Sequence, residues 1–301
     1  MDSLVGLLEE LLPVLYLSLQ EAESQIVQAN IVYTGNKQHE EVRACDEVNS
    51  LCRRVLEKAD EEVTNFIPTE WEHLKQFSKG KINEHTLRLM VRMYMEPSFK
   101  QLNKHDQNLL LWSGLFHDLG KRGPPLLPGK DPFHPFKSAA LTLRIMSRLG
   151  WVRSDYEFAE NLAQDIEKAF FVEREIEYMD NSQVEDFLSR LLHLCNLSEK
   201  STWNTIEEVC SGKSLQELFA FEVLLLVMFH QSISVLGEHP AFTPFSDSEI
   251  KKFYSFRVLK LSGFLMKFDS LSYTMALPNV TRDFGSEIDS VIALKLKLFE
   301  N

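Results

Sequence analysis

Along most of the chain, apolar residues recur every three or four positions, the spacing that lines one face of an α-helix. The clearest case covers roughly residues 38–66, where Val42, Cys45, Val48, Cys52, Val55, Ala59, Val63 and Phe66 form one stripe. Strongly alternating strand patterns are not apparent, and 12 Gly and 11 Pro are few interruptions for 301 residues. The expected fold class is therefore all-α. Asn83 is placed to cap a helix through EHTLRLMVRMYM, which must stop before Pro97 because the residue ahead of a proline is steered out of helical geometry. A second helix is expected to start near Asp106 and to end at Gly120. Leu109, Leu110, Leu111, Trp112, Leu115 and Phe116 make it apolar nearly all round, which marks a central helix.

A loop rich in Pro and Gly, KRGPPLLPGKDPFHP, leads into the helix SAALTLRIMSRLG. Helical patterns with acidic faces then run from about 152 to 215. LQELFAFEVLLLVMFHQSISVL is too apolar for a surface helix, and SEIKKFYSFRVLKLSGFLMKFDSLSYTMA reads as one long amphipathic helix ending before Pro278. The apolar first 33 residues lack a basic leading region and carry Glu9 and Glu10. They read as a helix packing on the core, on another protein or on a second copy, rather than as a signal or anchor. No stretch has the ~18 consecutive apolar residues that a membrane span requires.

Composition narrows the function classes. Lys and Arg total 32 against 44 Asp and Glu, a formal charge of −12, which excludes a broad surface for nucleic acid or anionic lipid. An anionic substrate would need locally concentrated positive charge. Cys45, Cys52, Cys195 and Cys210 show no CxxC spacing, so free thiols, a reducing compartment and a cytoplasmic protein are expected. Cys45 and Cys52 lie two helical turns apart with no further ligand at metal-site spacing, and act as small hydrophobes.

The residues that bear chemistry centre on His117 and Asp118 in GLFHDLGK, at the end of the central helix. An ionisable pair there is costly to bury, and a divalent metal satisfies both side chains at once. A histidine near the last carbonyls of a helix also has a purely structural role open to it. His105 and Asp106 repeat the dipeptide, but Asp106 reads as the N-cap of the following helix. His85, His134, His230 and Asp269 add further nitrogen and carboxylate ligands at helix starts or ends.

In order, residue type and flanking sequence this set resembles the HD superfamily of metal-dependent phosphohydrolases. EHTLRL is similar to the family's first-ligand helix, LFHDLGK to its signature, HPFKSAALTLRIMSRLG to its third-histidine helix, LLVMFHQ to its fourth and LMKFDSLS to its closing aspartate. The likeness covers roughly residues 66–280. It implies an HD-domain helical bundle over 66–301, with an amino-terminal helical segment, 1–65, packed on it. The long gap between His134 and His230 implies a helical insertion at about 152–215. His85, His117, Asp118 and Asp269 would hold a first metal, and His134 and His230 with a bridging Asp118 a second. The mixed donors fit one or two ions of Mn, Fe, Co, Ni or Zn better than Ca.

The activity implied is cleavage of a phosphate monoester or diester, a nucleotide among the candidates, by a metal-activated hydroxide. Asp118 and Lys121 would be catalytic, and Arg88, Lys121 and Arg122 would bind substrate. Lys121 follows the signature, and Arg88 and Arg92 lie one and two turns beyond His85. Arg122, Lys130 and Lys137 sit in or beside a loop that could close over the site. Each of these cations has a solvated surface role as its alternative, and His193 and His239 read as surface or helix residues. The acidic pair of the guanosine tetraphosphate hydrolases and the GYP triplet of the cyclic-diguanylate esterases are absent, so neither substrate is expected. Two other readings stay open: an HD-type di-iron oxygenase acting on a small polyol or related compound, and a non-catalytic scaffold that keeps its metal for stability.

Overall fold

The computed structural model describes residues 63–78, 81–121, 134–152, 181–197, 203–233, 245–274 and 284–300, with single positions at 13, 17, 57, 60, 61, 161 and 164. Among the described residues there is no strand, and the fold is all-α. The helices that matter for the site are α1 (Pro68–Ser78), α2 (Lys81–Met95), α3 (Pro97–Lys100), α4 (Lys104–Phe116), α5 (His134–Arg148), α6 (Asn181–Leu194) and α7 (Ile206–Cys210). They are followed by α8 (Leu215–Phe229), α9 (Asp247–Phe253), α10 (Phe256–Thr274), α11 (Phe284–Leu296) and a closing 3₁₀ turn, Lys297–Phe299. Among the described residues no helix is long and apolar enough to cross a membrane.

The apolar run LFAFEVLLLVMF makes α8 the centre of the bundle. Every residue from Leu218 to Phe229 is buried, so the helix needs neighbours on all sides. It packs against α4, α5 and α10, while α2 packs against α1, α4 and α10. Ser214 and Glu217 start α8 with reciprocal side-chain and backbone hydrogen bonds, satisfying amides that the helix itself cannot. Val63 and Ile67 are buried in the same core, which carries the end of the amino-terminal stripe onto the bundle. The rest of that stripe, with Cys45 and Cys52, lies outside the described residues, whereas Cys195 and Cys210 are free thiols as expected.

Several boundaries differ from the sequence pattern. Helix α2 starts at Lys81, so Asn83 is not its cap but a buried residue inside the first turn. Asn103, not Asp106, caps α4: its Oδ1 accepts from the Asp106 amide at 2.9 Å and its Nδ2 donates to Asp106 Oδ2 at 2.9 Å. The segment expected as one long helix is two, broken at Tyr254 and Ser255. Tyr254 is extended (φ −118, ψ 151), and its ring is anchored at the end of α8 by a 2.5 Å hydrogen bond to Ser232. Ser255 Oγ then accepts from Val258 N and restarts the helix. A tertiary anchor therefore overrides a continuous apolar period.

One ionic cluster ties three of these helices together. Arg257 of α10 pairs with both Asp106 of α4 and Glu222 of α8. Asp106 and Glu222 are buried, so each carboxylate relies on the guanidinium for compensation. Glu222 is still raised above its ordinary value, because burial outweighs the arginine. Replacing Arg257 with leucine leaves two buried acids without their cation. The expected loss is about 3–5 kcal/mol of unfolding free energy, read from urea denaturation; a loss below about 1 kcal/mol, the range of a surface ion pair, would show that the cluster does not hold the helices.

Candidate metal centre

Four helix ends and one helix interior converge on a single place. His117 is the C-cap of α4 and His230 the C-cap of α8, and each uses the same local device. A helix leaves its last carbonyls without amide partners. His117 Nδ1 donates to Gly114 O at 2.7 Å, and His230 Nδ1 donates to Val227 O at 2.7 Å. The proton is thereby committed to Nδ1, and the lone pair of Nε2 is left to face outward from the helix end. The structural role open to a helix-terminal histidine and the ligand role use different nitrogens of the same ring.

His85, the fifth residue of α2, is locked by a different partner. Ser272 Oγ donates its only proton to Asp269 O at 2.7 Å, so it accepts from His85 Nδ1 at 2.7 Å. His85 Nε2 then turns its lone pair to Asp269 Oδ1, 2.9 Å away. The sequence reading missed Ser272; its only signal is a hydroxyl three residues after Asp269, on the same helix face. His134, near the end of the Pro- and Gly-rich stretch, is the first residue of α5. The turn carrying Asp118 is pressed against that helix. Gly120 N donates to Ser138 Oγ at 2.9 Å, and a Cβ on Gly120 would lie 2.5 Å from Ser138 N. Gly120 is thus required for close approach rather than for a left-handed helix end.

The result is two groups joined by one carboxylate. His85, His117 and Asp269 form the first, and Asp118, His134 and His230 the second, with the ligand atoms of each within 4.8 Å of one another. Asp118 serves both groups. Its Oδ2 lies 3.7 Å from His85 Nε2 and 3.5 Å from His117 Nε2, and its Oδ1 lies 3.2 Å from His134 Nε2 and 4.0 Å from His230 Nε2. His117 Nε2 is 3.6 Å from Asp269 Oδ1, and the Nε2 atoms of His134 and His230 are 3.2 Å apart. Ligands about 2.1 Å from one ion sit about 3.0–3.4 Å from each other in octahedral or tetrahedral arrangement; the 2.9 and 3.2 Å separations are near that range, and the others extend to 4.0 Å. His117 Nε2 and Asp118 Oδ1 are buried with no hydrogen-bond partner, one orphan in each group. These residues could hold a metal ion.

The electrostatics follow from burial and from these contacts. Burial pushes His85 down to about 4 and His230 down to about 3, so both rings are neutral near neutral pH. Burial alone would also lower His117, but Asp118 and Asp269 outweigh it and raise it. Burial alone would raise Asp118, yet Lys121, His117 and His134 hold it well below the usual carboxylate range. Asp269 is held low by His117 and His85 against the same burial. Lys121 Nζ donates to Asp118 Oδ2 at 2.7 Å. A cluster of electron-pair donors with so little hydrogen to share could hold a cation.

The other candidates divide. Arg88, Arg92 and Lys137 are buried, so the solvated surface role does not apply to them, while Arg122, Lys130 and His239 lie outside the described residues. His193 is exposed on α6. The second His-Asp dipeptide is no ligand pair: Asp106 belongs to the Arg257 cluster, and the His105 ring meets Phe219 edge-on. Comparison of the chain with family models, curated proteins and solved structures finds no match in any of the three.

The pKa shifts carry a sign that unfolding can test. His85 and His230 lie below their unfolded value of 6.5, so unfolding takes up protons as the pH falls from 6.5. Their contribution is complete above 6.5 and declines toward 4 and 3, each by up to about 1.4 kcal/mol per pH unit. His117, raised, has the opposite sign: its contribution is present below 6.5 and is lost as the pH rises through its folded value. Two groups outweigh one, and the urea midpoint of chelator-treated protein is expected to drop between pH 7 and pH 5. A midpoint that rises over that interval would contradict the assignment.

Proposed function

We propose that the chain is a metal-dependent phosphohydrolase of the HD type, cleaving a phosphate ester at this centre. The observation that supports the reading most directly is Asp118, whose two carboxylate oxygens each face a different group of ligands. The ligand order His85, His117, Asp118, His134, His230, Asp269 supports the same reading. The proposed catalytic unit is 66–301, with 1–65 packed on it and 152–215 inserted. Divalent ions held by these residues supply Lewis acidity and lower the pKa of a water to near neutrality.

The chain's own residues would then divide the work. His85 and His230 stay neutral near neutral pH, and His85, His117 and His230 keep Nε2 directed inward because their Nδ1 protons are used elsewhere. Asp118 fixes the two groups relative to one another. Lys121, half-buried and in contact with Asp118, offers positive charge at the edge of the centre where phosphoryl oxygens gain negative charge. Asp269 is the more accessible carboxylate, at 14 % exposure against 1 % for Asp118, and marks the side from which substrate would approach.

The test is elemental analysis of unstripped protein together with phosphoester turnover in Mn or Co. Asp118→Ala is expected to lose bound metal and hydrolysis together. Lys121→Met is expected to keep its metal and to lose activity by about 10²-fold, the scale of removing one charge-stabilising donor. Asp118→Ala with unchanged metal content would overturn the assignment of the centre. Iron with substrate-dependent oxygen uptake and no phosphoester turnover would overturn the hydrolase.

A further inference from the structure

One helical turn after His85 lies a cation that the scheme above does not use. Arg88 is only 3 % exposed, and its Nε has no hydrogen-bond partner. Among the described residues it also has no ion pair. Other buried or half-buried cations are compensated: Lys121 rests on Asp118, Arg257 on Asp106 and Glu222, and Arg92 and Lys137 each have interactions of their own. A guanidinium removed from water without an acid is expensive, and a fold that keeps one benefits from an anion arriving there. Its position says where that anion belongs. Arg88 is three residues after His85 on α2, so the two side chains are neighbours on one face of the helix, about one turn apart.

We propose that Arg88 receives the terminal oxygens of a phosphate monoester, and so makes the site selective for monoesters over diesters. The inference rests on the phosphohydrolase reading of the same centre. A planar guanidinium takes two oxygens at once. A monoester has three terminal oxygens, so two can lie on the fork while one still faces the ligand cluster. A diester has only two non-bridging oxygens, so filling both arms of the fork leaves none to face the ligand cluster. The monoester also brings close to two negative charges near neutral pH, against one for the diester, toward a buried cation that has no ion pair among the described residues.

The test uses full-length protein as purified, its metal content measured, in wild-type, Arg88→Met and Arg88→Lys forms, with inorganic phosphate as the probe. Phosphate is expected to raise the melting temperature of the wild type, to leave Arg88→Met unmoved and to shift Arg88→Lys less, because lysine keeps the charge but loses the fork. Without phosphate, Arg88→Met is expected to melt no lower than the wild type, since an unpaired buried charge has been removed. For a monoester substrate KM should rise about tenfold or more in Arg88→Met with metal content unchanged, and turnover of a diester should not move.

A phosphate shift that persists in Arg88→Met, or is undiminished in Arg88→Lys, overturns the proposal. So does an Arg88→Met protein that melts lower or loses metal, because the guanidinium is then structural. The two readings separate cleanly. A phosphate shift that depends on Arg88, in a protein that hydrolyses no phosphoester, removes the hydrolase and leaves the anion site. Hydrolysis with an Arg88-independent phosphate shift does the reverse.

Discussion

Six side chains turn electron pairs toward one another in a largely buried space, with few protons to share. That is the constraint on which the rest of this fold depends. Three of the four imidazoles spend their Nδ1 proton on Gly114, Val227 or Ser272. What remains is ring nitrogens facing carboxylates at 2.9–4.0 Å and an imidazole pair at 3.2 Å. Lys121 compensates one oxygen of Asp118, while the other has no donor. A bound cation is the ordinary way for a protein to make such an arrangement favourable.

The remainder of the bundle can be understood as what holds those ends in place. Helices α4, α8 and α10 are locked together by Arg257, Asp106 and Glu222 well away from the ligands they carry. On α4 the lock is at residue 106 and the ligands at 117 and 118; on α10 it is at 257 and the ligand at 269. At about 1.5 Å rise per residue, lock and ligands are roughly 16–18 Å apart. The apolar body of α8 fills the space between. Fixing rigid helices at one end restricts the positions their other ends can take, the support that a site with ångström tolerances requires.

Helix existence was legible wherever an apolar period was long, because burying one face is a local demand written into local residues. α2, α4, α5 and α8 all lie where the pattern puts them. Their edges were less legible. Asn83 has a capping side chain and lies buried within the first turn of its helix, and Asn103 caps α4 in place of Asp106. The break at Tyr254 has no local signature, because the hydroxyl that holds it open is on Ser232, in a different part of the chain. For the site, residue types and order were enough to nominate the six side chains that packing brings together. The partner that orients His85 was not nominated, and neither was the burial of Arg92 and Lys137, since a charged residue on a helix carries no local mark of which neighbours will cover it.

The polypeptide's own order of residues settled the class of structure and the chemistry on offer: periodic apolar positions make helices, and histidines and aspartates are donors wherever they lie. Packing alone decided that residues 85, 117, 118, 134, 230 and 269 share one place, that Asp118 faces two groups, and that Arg88 is enclosed without an acid among the described residues. Those are distances and solvent exposures between segments remote in the chain. They are set by how helices fit together, and no window of local sequence contains them.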